Sequence, residues 1–277
     1  MMHEGWLSGH RGTPIFYRWA MPDCPARAIL LLLHGYSEHS ARHHAFLRHM
    51  LDAGFAVFAP DHRGHGRTGP VPGLITDMDE VIADVGHLHR RALERVAGQP
   101  VFLLGHSMGG LIALRYTQLH GERLRGLIVN GPGIEVPKSI PRPVIAASKV
   151  VSRWAPGLWV QRFYEPGRGH SDAEQQQQDA DDPLIYKGWI RAGTGTTVHA
   201  TIKRTVAELD RIRLPVLATV GSEDRTVSVT TSDTVIRGVG STDTTHHVFT
   251  GLSHEVYLEP RRAEVFAVWR AWMEERL

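Results

Sequence analysis

Residues Val101–Gly110 read VFLLGHSMGG: four apolar residues, then Gly105-His106-Ser107-Met108-Gly109, then a stretch of helical periodicity that runs on to His120. A serine on a sharp strand-to-helix turn projects its hydroxyl above the sheet, and the flanking glycines remove side chains that would clash in that turn. The Met108 amide opens the helix and points into the same space. With a strand before it, a helix after it and the extra Gly110, the pattern makes Ser107 a candidate nucleophile rather than a residue of a plain Gly-rich connection.

Outward from this turn, short apolar runs alternate with helical patterns. Strands are predicted over Ile15–Ala20, Ala28–Leu33, Phe55–Ala59, Val101–Leu104, Leu127–Asn130, Leu214–Val220 and His246–Phe249. Helices are predicted over Ala41–Ala53, Asp77–Ala97, Ser107–His120, Val227–Val239 and Arg261–Leu277. Such alternation specifies a mostly parallel central sheet covered by helices on both faces. It breaks between about Gly131 and Leu214, after a run containing Pro132, Pro137, Pro141 and Pro143. The reading is a core in two parts, residues 1–133 and 205–277, with a helical cap inserted at 134–204. Within the cap, Val144, Val151, Trp154 and Leu158 recur at near-helical spacing, which makes Val151, Trp154 and Leu158 candidates for substrate contact and for peripheral contact with a lipid surface. The Gln175–Gln178 run reads as a solvated helix face.

A serine needs a base to take its proton and a carboxylate to orient that base. His254 follows the strand ending at Phe249, in the loop Gly251-Leu252-Ser253-His254-Glu255, whereas His246 and His247 lie inside that strand. The base must reach the strand ends where the turn sits, which selects His254. The same reasoning selects Asp224, in Gly221-Ser222-Glu223-Asp224-Arg225 after the next strand; Glu223 is its near neighbour, and Asp210 sits at the opposite strand end. Acyl transfer also needs donors for a developing oxyanion. Leu30–Leu33 runs into His34-Gly35-Tyr36, so the Tyr36 amide is the candidate second donor beside that of Met108.

The chain has 277 residues with a formal charge of +2, too small to suggest a nucleic-acid partner. Its single cysteine, Cys24, cannot form an internal disulfide, which fits a reducing compartment and suggests the cytoplasm. The first twenty residues show no apolar signal-peptide core, and the Ala28–Leu33 run is far short of a membrane span. The histidines at 43–44, 62 and 65, and 87 and 89 invite a metal reading. With one cysteine and no matched carboxylate set, they are read instead as loop hydrogen-bonders or solvated helix residues, and neither a metal nor a cofactor is predicted.

Six segments in chain order resemble the monoacylglycerol lipase and lysophospholipase family of α/β-hydrolases. They are HGYSEHSARHH from His34, PDHRGHGRTG from Pro60, GHSMGG from Gly105, DDPLIYKG from Asp181, GSEDRTV from Gly221 and SHEVYLEP from Ser253. The resemblance implies the α/β-hydrolase fold with Ser107, Asp224 and His254 as the triad and the Tyr36 and Met108 amides as oxyanion donors. It departs from the family pattern at Ser37, where glycine is usual, at the bulky Tyr36, and at the His43-His44 pair. The expected activity is hydrolysis of a lipid-like or other small ester through an acyl-enzyme. The alternatives are a lysophospholipase, an esterase or lactonase for a bulky natural product, a peptidase, and a non-catalytic ligand-binding protein.

Overall fold

The computed structural model describes residues 1–136, 142–162, 165 and 167–277, with only the backbone of 142–147 described. The predicted Pro137 and Pro141, and the side chains of Pro143 and Val144, lie outside the described residues. The chain opens with β1 (His3–Ser8), β2 (Pro14–Ala20), β3 (Ala28–Leu33), α1 (His44–Asp52), β4 (Phe55–Pro60), α2 (Met78–Arg95), β5 (Val101–His106), α3 (Met108–His120) and β6 (Gly126–Asn130). Next come α4 (Arg142–Trp154), β7 (Trp159–Arg162), α5 (Ala173–Asp181), β8 (Trp189–Arg191) and α6 (Ala192–Ala207). The chain closes with β9 (Val216–Gly221), α7 (Thr230–Gly238), β10 (Thr244–Phe249) and α8 (Arg262–Glu274).

Eight strands form one sheet in the order β1-β2-β4-β3-β5-β6-β9-β10. From β4 to β10 every neighbouring pair is parallel; β1 and β2 add an antiparallel edge. The all-apolar run AILLLL of β3 is explained by burial on both faces. Ile29, Leu31 and Leu33 pack with Val81, Val85 and Leu111 of α2 and α3. Leu30 and Leu32 pack with Phe46, Met50, Phe266 and Trp269 of α1 and α8. Each such side chain contributes roughly 1.5–3 kcal/mol on burial. Helix α2 starts where the Asp77 carboxylate accepts from the Asp79 amide at 2.8 Å, and it buries Val81, Val85, Leu88 and Ala92 along one face.

The elements between β6 and β9 stand outside this sheet. β7 and β8 form a separate antiparallel pair, short and half exposed, which explains why no apolar run announced them. α4 packs on α6, and α6 in turn packs on α3 of the core. The boundary expected at residue 204 falls inside α6.

Candidate active site

The strands that run parallel all end on one side, and three loops meet there. β5, central in the sheet, delivers Ser107 at φ 53° and ψ −117°, in the left-handed region that a non-glycine residue occupies only under constraint. The constraint is hydrogen-bonded: the Ser107 amide donates to the Asn130 carbonyl (3.0 Å), and the Ser107 carbonyl accepts from Gly133 (2.9 Å) and Gly110 (2.9 Å). The flanking glycines are required by close approach. A Cβ on Gly105 would lie 2.2 Å from the Gly109 carbonyl oxygen, and one on Gly109 would lie 2.1 Å from that of Leu33. α3 then begins at Met108, whose amide is among the first four of the helix and has no intrahelical acceptor.

The loops after β9 and β10 bring Asp224 and His254 together. His254 Nδ1 donates to Asp224 Oδ2 at 2.6 Å, which leaves Nε2 as the nitrogen able to accept a proton. The other carboxylate oxygen, Oδ1, accepts the amides of Thr226 (2.7 Å) and Val227 (3.0 Å). Burial alone would push the Asp224 carboxyl up, but the His254 ring and these amides outweigh it and hold it below its ordinary range. Burial alone would push His254 down, but Asp224, with help from Glu255 and Glu38, carries it above the ordinary 6.5. His254 and Ser107 line the same cavity.

The turn after β3 packs against the serine: a Cβ on Gly35 would lie 3.1 Å from that of Ser107. The Gly35 amide donates to Glu38 Oε1 at 2.5 Å, and Glu38 Oε2 accepts from the Tyr257 hydroxyl at 2.7 Å. Ser37 sits at φ 74°, which accounts for the preference for glycine at this position. Of the histidines read from the sequence as loop hydrogen-bonders or solvated helix residues, His62 and His65 do lie in the loop after β4, where His65 Nδ1 is 3.0 Å from the Arg63 carbonyl, whereas His89 on α2 is packed inside and its solvated reading is corrected. His43, His62, His65 and His89 are buried. Desolvation pushes His62 down to about 3, and His65 and His89 to about 4, so these rings are neutral packing groups. His34 Nε2 accepts the His62 amide (2.9 Å), and the Tyr116 hydroxyl lies 2.8 Å from His89 Nδ1.

Two cavities meet at Ser107. One, of about 130 Å³, is polar and includes Glu38, Arg42, Arg162, His254 and Glu255 in its wall. The other, of about 180 Å³, is walled mainly by apolar side chains, among them Met108, Val136, Val160, Ile190, Val198 and Ile202. Tyr36, Ser107, Gln161 and Thr226 border both, and the Tyr36 hydroxyl donates to the Gly73 carbonyl at 3.1 Å. Val151, Trp154 and Leu158 line neither cavity: helix α4 ends at Trp154, which is 87% exposed, and Leu158, 53% exposed, follows in the turn before β7. The cap residues that do line the apolar cavity were missed, although Thr194, Val198 and Ile202 recur every fourth residue on α6. The Gln175–Gln178 run does lie on a helix, but Gln176 turns inward to donate to the His170 carbonyl at 2.8 Å.

Among the described residues, one group has His and carboxylate donor atoms within 4.8 Å of one another: His170, Asp179 and Glu255. A cation of the chain itself already pairs with both carboxylates of that group, since Arg42 lies 2.5 Å from Asp179 and 2.6 Å from Glu255.

Residues 24–261 match the sequence profile of the Hydrolase_4 family, described as serine aminopeptidase S33. The chain belongs to this family. It is 29% identical to a monoacylglycerol lipase of Mycolicibacterium smegmatis, over 98% of this chain and 96% of that protein. It is 28% identical to the phospholipase YtpA of Bacillus subtilis, over 90% of this chain and 95% of that one. The crystal structure of Paleococcus ferrophilus monoacylglycerol lipase superimposes with a TM-score of 0.85 at 26% identity, covering 95% of this chain and 99% of that one. This member of the Hydrolase_4 family has the α/β-hydrolase fold and is a serine hydrolase that cleaves esters. No helix among the described residues is long and apolar enough to cross a membrane.

Proposed function

We propose that this enzyme hydrolyses monoacylglycerol-like esters through an acyl-enzyme on Ser107. The observation that carries the reading is the position of Ser107 at the junction of an apolar and a polar cavity, which suits an ester with a hydrocarbon acyl chain and a hydroxylated alcohol. His254 takes the Ser107 proton as the hydroxyl oxygen attacks the carbonyl carbon. The oxyanion that forms is met by the amides of Met108 and Tyr36. Asp224 holds the ring and stabilises its cationic form. His254 then passes the proton to the departing alcohol, and the same ring activates the water that releases the acid. Residues 134–204 act as the cap that closes the acyl cavity. The exposed Trp154, Leu158, Trp159 and Trp189 support peripheral contact of that cap with lipid, tested by vesicle co-sedimentation of the Trp154→Asp variant, which should bind less. The exposed Cys24 is compatible with work in the cytoplasm; localisation of a tagged chain tests this, and secretion would refute it.

A lysophospholipid is the second reading. Arg162, in the polar wall, makes no ion pair among the described residues and offers a cation to a phosphate-bearing alcohol. The test is a panel of kcat/KM values for monooleoylglycerol, lysophosphatidylcholine, a short nitrophenyl ester, a macrocyclic lactone and an aminoacyl anilide. The monoacylglycerol should lead; a higher value for the lactone or the anilide would overturn the proposal.

A further inference from the structure

The residue after His254 is bonded both to the cap and to the core turn that follows β3. The Glu255 amide donates to the Gly169 carbonyl at 2.7 Å, and Arg42 Nη1 and Nη2 donate to its carboxylate at 2.6 and 3.1 Å. The same guanidinium donates from Nε and Nη2 to Asp179 of α5, at 3.0 and 2.5 Å, and from Nη1 to Glu38 at 3.2 Å. One buried arginine thus holds three carboxylates from three segments: the turn beside Ser107, the His254 loop and the cap. A second tie runs in parallel, because Glu259 accepts the Ser253 amide at 2.9 Å and the Ser171 amide at 3.1 Å. Gly169 is a close approach of the same kind, where a Cβ would lie 2.2 Å from Glu255 Oε2. Planar, multiply bonded arginine geometry of this sort transmits position as well as charge.

We propose that Arg42 and Glu255 are positioning residues that couple the seating of the cap segment 169–179 to the placement of His254. The proposal rests on His254 being the general base. Both residues border the polar cavity, so a role in holding the leaving group is the competing explanation, and the two differ in kinetics. Removing Arg42 outright would strand the buried carboxylate of Glu38 and the half-buried ones of Asp179 and Glu255, and endanger the fold. The test therefore uses Glu255→Gln, Asp179→Asn and their double variant, with circular dichroism to verify folding. The substrate is a nitrophenyl acetate, whose acyl group is too short to need the cap.

Each single variant should lower kcat by about tenfold with KM within about twofold, as expected for a displaced reacting group. Because both act through Arg42, the double variant should be no worse than about the poorer single one. The pH profile adds a readout that a purely structural role would not move. The groups facing His254 are Asp224, Glu38, Glu255 and the His106 ring, with Arg42 on the core side and Arg162, Glu165, Arg168 and Asp179 on the cap side lining the cavity. Removing the Glu255 charge takes away one attraction for the protonated ring, so the acid limb of kcat/KM should shift to lower pH in Glu255→Gln. A change in KM alone, additive losses, an unmoved acid limb in Glu255→Gln, or an unimpaired Asp179→Asn would each overturn the proposal. If the reading of His254 itself were wrong, His254→Ala would keep activity, a different result from any of these.

Discussion

Replacing Asp224 by asparagine removes one charge from a nearly isosteric group. In the native loop Oδ1 accepts two amides and Oδ2 faces His254 Nδ1 at 2.6 Å. The asparagine keeps its carbonyl oxygen toward the amides of Thr226 and Val227, since only an acceptor satisfies them. Its NH2 then faces Nδ1, which must become the acceptor, and the ring proton moves to Nε2, the nitrogen that has to receive the serine proton. Loss of the carboxylate–imidazolium attraction alone is on the order of 4 kcal/mol at an intermediate effective dielectric, or roughly 10³-fold in rate. With the wrong tautomer added, kcat should fall by about 10³- to 10⁴-fold while the fold persists.

The assay is kcat/KM for a nitrophenyl butyrate across acid to mildly alkaline pH. In the native enzyme, activity rises with pH as His254, held above 6.5 by Asp224, loses its proton. Without that attraction, desolvation dominates and the residual limb moves to lower pH. Glu223→Gln, next door but outside the His254 contact, should stay within about threefold of native. A loss under about tenfold in Asp224→Asn, or a comparable loss in Glu223→Gln, would refute the reasoning.

Three further outcomes follow from the geometry. Gly109→Ala, whose Cβ would meet the Leu33 oxygen at 2.1 Å, should cost about 1–3 kcal/mol in thermal melts and at least about 10²-fold in kcat. Val198→Trp should fill part of the apolar cavity and lower kcat/KM for monooleoylglycerol by about tenfold or more, while an acetate ester changes less than about threefold; equal losses on both would count against the acyl assignment. Ser37→Gly relieves both a φ of 74° and a buried hydroxyl with no hydrogen-bond partner among the described residues, so it should raise stability by about 1 kcal/mol in denaturant titration.

The buried strands were legible because β3 and β4 carry no polar side chain and β5 and β9 carry one each, His106 and Thr219, and the elbow was legible because glycine is forced there by backbone contact. Asp224 and His254 could be placed because each follows the end of a readable strand. β1 was not legible: in HEGWLS only Leu7 is buried, so an edge strand gives no apolar run. The cap stripe failed at Ala155-Pro156-Gly157, which ends α4 and takes Leu158 off its face, a breaker visible in the sequence. Arg42, Glu38, Glu255 and Asp179 carry no local signal. Arg42 meets Glu255 across 213 positions, a distance at which periodicity and spacing are silent. His89 misled because its polarity predicts exposure, while desolvation keeps its ring neutral beside the Tyr116 hydroxyl.

The central claim is that Ser107 is the residue acylated during turnover, and intact-mass and peptide-mapping analysis after fluorophosphonate treatment tests it most directly. One adduct per chain is predicted, on the peptide containing Ser107, with none on the Ser107→Ala variant. An adduct on another serine, or undiminished labelling of Ser107→Ala, would contradict the claim.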